Sequence, residues 1–331
     1  MQSDDWTFGF LLAVNLLVVL AAWQLVGGNF FGLFNLQSMG AQVPEMGLLA
    51  LGVMLAMVSG NGGIDLSGIA VANLAGILGF LLASLVVTPA EAPHVYIAVF
   101  CAIALVVGVG AGAVNGVLIA FVGLTPIIAT LGTQLLFTGI AVGITGGSAQ
   151  RLGWIAPFDT LGNGSVWGVP IPFAIFLGVA CVLAAVLRFS AFGTRLYLQG
   201  TNMRAAHFSG IPVRRMLLAT YTIAGVLAAV AGIIIAARTS SVKWDYGSSY
   251  VLIAVLIAVM AGARPEGGQG RIFCVVLAAT ALQILSSMFN FMGLSNFLRD
   301  FAWGLLLLGF LALARVNPLA FLRPLDRATQ G

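Results

Sequence analysis

The sequence predicts an all-α polytopic helical membrane protein, with about ten transmembrane helices and both termini cytoplasmic. Three observations lead there. Of the 331 residues, 60% are hydrophobic and only 7% are charged, whereas a soluble domain carries about 25% charged residues. So few charges cannot cover a water-facing surface, so membrane lipid is the first partner, at a mean hydropathy of +1.09. Apolar runs of about 20 residues, enough to cross a roughly 30 Å hydrocarbon core as helix, recur along the whole chain. Barrel strands would instead alternate polar and apolar positions in short segments.

The first run, 7–27, follows the acidic MQSDDW. It lacks a basic leader and a small-residue cleavage site, so it is expected to remain as a helix. GGNFFG separates it from 44–60, and a glycine-rich break leads into 65–88. TPAEAPH precedes 95–122, and GLTP precedes 126–146. The long 147–169 segment then intervenes before 170–188. A polar, basic stretch at 189–216 interrupts the pattern ahead of 216–237. WDYGSS and ARPEGGQG flank 248–263, and the last runs are 272–291 and 297–314. The whole of 1–331 reads as one membrane domain, with 189–216 and 147–169 as its two largest water-phase segments.

Lys and Arg set the orientation, because cytoplasmic loops carry the excess. With 189–216 inside, Arg188, Arg195, Arg204, Arg214 and Arg215 lie inside. Arg264, Arg271, Arg315, Arg323 and Arg327 join them, while Arg151, Arg238, Lys243 and Arg299 lie outside. The net charge of +4 therefore reads as topology, and no nucleic acid is expected as a partner. Cys101, Cys181 and Cys274 stand singly in apolar runs and read as small buried hydrophobes. His94 and His207 fall on opposite sides, so neither a metal site nor a cofactor is expected. Scarce acids leave no acid/base pair for an enzyme. No GxxxxGK[ST] occurs, so this chain cannot cradle ATP on a P-loop.

Four stretches carry polar chemistry. Ser59 to Ser67, SGNGGIDLS, is poor helix because each glycine costs about 1 kcal/mol relative to Ala. Asn61, Asp65 and Ser67 in it suit a polar path, since an ionisable group at membrane depth is a functional hypothesis by default. A tight turn with Asp65 capping the next helix is the compatible alternative. Next, Gly108, Gly112 and Gly116 are spaced for close helix approach. Near them Asn115, Thr130, Thr133 and Gln134 offer uncharged hydrogen-bonding groups, as solute contacts or as glue between helices. In the third stretch Asn202 or Thr201 can cap a short helix through Arg204–Phe208, ended by SGIP at 209–212. Such a peg fits a partner's groove. The fourth, 262–271, reads as a flexible hairpin anchored by Arg264 and Arg271.

In order along the chain, MGLLALG at 46–52, GGIDLS at 62–67, TPIIATLGT at 125–133, TGG at 145–147, FDTLGNGSVWGVPIP at 158–172 and FGTRLYLQGTNMRAAHFSGI at 192–211 form a pattern. It resembles the permease subunits of bacterial ABC importers of the ribose/xylose/galactose type. The branched-chain amino-acid permeases are more distant relatives. The resemblance implies that 200–211 docks on a separate ABC ATPase subunit through Gly200, Asn202, Ala205, Ala206, Ser209 and Gly210. It implies that 147–169 receives a periplasmic sugar-binding protein, and that a second permease subunit, identical or not, completes the pathway in the inner membrane. A sugar or sugar-like polyol is the implied cargo, with nucleosides or branched-chain amino acids as alternatives. An ion-coupled carrier would need carboxylates inside the spans, where Asp65 is nearly the only candidate. The chain departs from the family at Ser59-Gly60-Asn61, an apparent insertion. It departs again at Gly68-Ile69, and at Val251 and Ile253, where an acidic pair is common.

Overall fold

The protein is described by a computed structural model covering residues 2–315. The helices in chain order are α1 (Gln2–Val26), α2 (Leu33–Val58), α3 (Gly68–Val86), α4 (Pro93–Val117, continued by a π turn at Leu118–Val122), α5 (Pro126–Thr145), α6 (Ala156–Asn163) and α7 (Ile171–Phe189). They continue with α8 (Ala191–Thr201), α9 (Met203–Phe208), α10 (Val213–Thr239), α11 (Tyr250–Met260), α12 (Ile272–Phe291) and α13 (Asn296–Arg315). A 3-10 turn (Gly28–Phe31) and four two-residue strands complete the described elements: β1 (Gln150–Arg151), β2 (Ser165–Val166), β3 (Val169–Pro170) and β4 (Ser241–Val242). They pair antiparallel as β1–β4, with Gln150 opposite Val242, and as the β2–β3 hairpin.

The protein is an all-α polytopic membrane protein. Among the described residues, eight helices are long and apolar enough to cross a membrane: α1, α2, α3, α4 with its π turn, α5, α7, α10 and α12. The other two predicted runs, 248–263 and 297–314, appear as the short apolar α11 and as α13. Pro93, Pro126 and Pro172 sit in the first turns of α4, α5 and α7, where the missing N–H costs nothing.

α2 and α10 form the core. From Val43 to Val58 every residue of α2 is buried, and α10 packs across α4, α2 and α3. The predicted close approach is between α4 and α10. A Cβ on Gly112 would stand 2.4 Å from the Tyr221 carbonyl oxygen, and one on Gly225 would stand 2.2 Å from that of Gly108. Such contact lets dispersion forces act over the whole seam.

Two boundaries differ from expectation. α2 begins at Leu33, not at 44, and passes through Pro44. Its early polar residues find partners on α12: Gln283 Nε2 donates to Gln42 Oε1 (3.4 Å) and Ser287 Oγ to Asn35 Oδ1 (3.3 Å). The 189–216 stretch is mostly helix rather than loop. The Ser190 hydroxyl caps α8 by accepting from the Gly193 N–H (3.3 Å), and Gly193, Leu196 and Gly200 form its buried face at helical spacing.

The helices alternate in direction, giving the bundle two ends. One holds the turn after α2, α8, α9 and the 261–271 turn, with Arg188, Arg195, Arg204, Arg214, Arg215, Arg264 and Arg271. The other holds α6, the strand pairs and the turn before α11, with Arg151, Arg238, Lys243 and Arg299. Arg315 closes α13 at the first end, whereas Arg323 and Arg327 lie outside the described residues.

Candidate functional site

Inside the bundle, where the turn after α2 folds back beside Leu49 and Gly52, four predicted polar residues form one chain of hydrogen bonds running in a single direction. The Thr133 hydroxyl reaches Asn115 Oδ1 (2.5 Å), and Asn115 Nδ2 donates to Ser67 Oγ (2.8 Å). The Ser67 hydroxyl donates to Asp65 Oδ1 (2.7 Å), which also accepts from the Ser67 N–H (2.9 Å). All four residues are buried. Each donor polarises the next, so the chain is worth more than its separate bonds. It ties the turn after α2 to α4 and α5. Thr130 adds a second tie, its hydroxyl lying 3.0 Å from the Ile64 carbonyl oxygen.

Asp65 accepts from inside the turn, and the residue at the α3 N-cap position is Ser67. Asn61 is exposed, with positive φ, and Gln134 is half-buried. Neither joins the chain of bonds.

The 200–211 segment divides in two. Asn202 caps α9 as expected, its Oδ1 accepting from the Ala205 N–H (3.0 Å). Asn202, Ala205, Ser209 and Gly210 are exposed, whereas Gly200 and Ala206 are buried. Gly200 rests against the Val58 carbonyl and the Gly268 backbone. Around it the turn after α2 meets the 264–270 turn: Gly268 N–H donates to Val58 O and Gly62 N–H to Pro265 O, each at 3.0 Å. Tyr197 on α8 donates to Gly270 O (2.7 Å), and Gln199 Nε2 to Ser59 O (3.4 Å). The 262–271 stretch is thus pinned rather than free.

A second polar cluster lies at the opposite end, and the sequence reading passed over it. Glu45 of α2 is fully buried and ion-paired with Arg238 at the end of α10. Its Oε2 accepts from the hydroxyls of Tyr246 (3.1 Å) and Tyr250 (3.0 Å). Arg238 also donates to the Tyr246 hydroxyl (2.6 Å). Burial, with the Glu45 carboxylate beside it, pushes the Tyr246 hydroxyl up to about 12, so it remains a donor at neutral pH. The available signal was an acid inside the predicted 44–60 run. Glu45 is thus a second buried carboxylate beside Asp65. A small crevice lies between the two clusters: Asp65, Leu66 and Ile69 line it with Leu49, Gly52, Ala228 and Tyr250.

Membrane-length helices that enclose two buried polar clusters define a multi-pass membrane protein. A family profile described as "Branched-chain amino acid transport system / permease component" matches residues 35–314, and the chain belongs to that family. The chain is 33% identical to the ribose import permease protein of Escherichia coli (strain K12) over 299 residues, 89% of this chain and 90% of that one. It is 32% identical to the ribose import permease protein of Bacillus subtilis (strain 168), over 91% of this chain and 90% of that one. It is 30% identical to an autoinducer 2 import system permease protein of Photorhabdus temperata, over 93% of this chain and 90% of that one. No solved structure matches the chain.

Proposed function

We propose that this permease is the membrane subunit of an ABC importer that carries a sugar or sugar-like polyol across the bacterial inner membrane. The Gly200 end faces the cytoplasm, consistent with the arginine excess there. A separate ABC ATPase subunit grips the exposed face of α9 and supplies the energy. A periplasmic sugar-binding protein delivers the solute near 147–169, and a second permease subunit encloses the other half of the pathway. The observation that carries the reading is the junction at Gly200. α8 continues into the exposed peg and abuts the backbone at the end of α2, next to the turn that holds Asp65. A push on the peg therefore reaches the Asp65–Ser67–Asn115–Thr133 chain without an intervening element.

Two features favour a neutral polyhydroxylated solute. Relatives covering nearly the whole chain are named for ribose and autoinducer 2 import. Around Asp65 the groups are hydroxyls and an amide, and among the described residues no Lys or Arg pairs with it. A neutral solute needs no paired cation at that position, whereas a carboxylate there would have to be held away from Asp65.

Reconstitution into liposomes with the ATPase and binding protein tests the proposal. Labelled ribose-type sugar should accumulate only with ATP inside the compartment bearing the ATPase. Uphill accumulation by the permease alone, on an ion gradient, would sink it.

A further inference from the structure

We propose that α11 is the outer gate of the pathway, and that the Tyr250 hydroxyl on the Glu45 carboxylate is its latch. The inference rests on the orientation and alternating access of the proposed importer, and names the moving part at the side away from the ATPase.

Glu45 collects donors from two elements. Arg238 ends α10, with Tyr246 in the turn that follows, and that turn is held from α3: Asn73 Nδ2 donates to the carbonyl oxygens of Trp244 and Tyr246, each at 3.0 Å. Tyr250 alone of the donors belongs to α11, so its 3.0 Å hydrogen bond joins α11 to α2 through the cluster. The Tyr250 ring also walls the crevice that ends at Asp65. Glu45 and Val58 are 13 residues apart on α2, about 20 Å along the axis at 1.5 Å per residue. Val58 marks the Gly200 end of α2, whereas the turn that follows folds back so that Gly68 packs on Leu49 and Asp65 shares the crevice with Leu49, Gly52 and Val53; the Asp65 cluster therefore lies within the bundle, below the Glu45 cluster.

α11 is built to swing. It has only 11 residues. The turn before it holds Gly247 at φ +60, where a Cβ would stand 2.8 Å from the Tyr250 ring. Only glycine gives the chain that left-handed bend and room for the ring together. Opening needs one neutral hydroxyl to leave Glu45, while Arg238 and Tyr246 keep the carboxylate paired. No buried charge is stranded, so the gate moves without the penalty of an uncompensated ion.

The test uses the assembled importer in liposomes, with Cys101, Cys181 and Cys274 replaced and Ala254→Cys, a buried crevice position, as reporter. A membrane-impermeant maleimide is added from the Arg238 side. Tyr250→Phe should speed labelling about fivefold or more and raise ATP hydrolysis in the absence of solute. Tyr96→Phe, which removes a hydroxyl bonded to Ser84 elsewhere, should label at the parent rate. Should Tyr250→Phe and Glu45→Gln both label at the parent rate, the gate is wrong. Accelerated labelling in an assembly whose parent shows no ATP-driven uptake would leave the gate standing and remove the importer reading instead.

Discussion

A Cβ on Gly200 would stand 1.9 Å from the carbonyl oxygen of Val58, so α8 and the end of α2 touch backbone to backbone. Neither atom belongs to a flexible side chain, so neither gives way. Gly200→Ala should force the two elements apart, an overpacking cost of about 1–3 kcal/mol. The exposed face of α9 is left intact. The ATPase should therefore still co-purify while ATP-driven uptake falls about tenfold or more. Normal uptake by Gly200→Ala would show that the junction does not transmit the stroke.

Asn115 both accepts from Thr133 and donates to Ser67. Asn115→Leu removes two links of the chain, while the Ser67 hydroxyl keeps Asp65 and the Thr133 hydroxyl keeps the Thr130 carbonyl oxygen, so each lost bond should cost about 1 kcal/mol. The triple change Asn115→Leu, Ser67→Ala, Thr133→Val also takes from the buried Asp65 its side-chain donor, and should unfold at a lower temperature than Asn115→Leu alone. Strictly additive losses across this set would mean that the residues do not act as a chain.

The polar residues of this site were legible because Asp65, Asn115, Thr130 and Thr133 stand out in apolar runs. Their convergence was not, because it depends on the rotation of α4 and α5 about their axes. Asn61 and Gln134 are just as polar, yet the backbone aims them away from the chain of bonds. α8 was hidden by Gly193 and Gly200, which weigh against helix until the close packing that needs them is known. Glu45 sits beside Pro44 at the edge of the predicted 44–60 span, where it was passed over. Its cation, Arg238, is 193 residues away in sequence and read as a topology anchor. Pairing across that separation is a tertiary fact, visible only once α2 and α10 are packed.

That pairing has a measurable consequence. Glu45 is fully buried, and Arg238→Ala leaves its carboxylate with only two neutral donors. Breaking a buried ion pair from one side costs about 3–5 kcal/mol, so Arg238→Ala should sharply lower the midpoint of thermal unfolding in detergent. Glu45→Gln combined with Arg238→Gln removes both charges and should recover most of the loss. A double variant no more stable than Arg238→Ala would show that packing, not charge compensation, dominates at this end.

α9 has only six residues, too short to hold its own helical form in water. What fixes its start is the Asn202 carboxamide on the Ala205 N–H. Asn202→Ala should cost about 1 kcal/mol of local helix stability. The exposed segment contributes little to the core, so global unfolding should hardly change. Loss of the cap frays the peg instead, so hydrogen exchange at Ala205 and Ala206 should quicken and co-purification with the ATPase should weaken. Asn202→Asp keeps an acceptor at the same position and should restore both. If Asn202→Asp fails while the α9 amides stay protected, the amide nitrogen itself contacts the partner, and the residue is more than a cap.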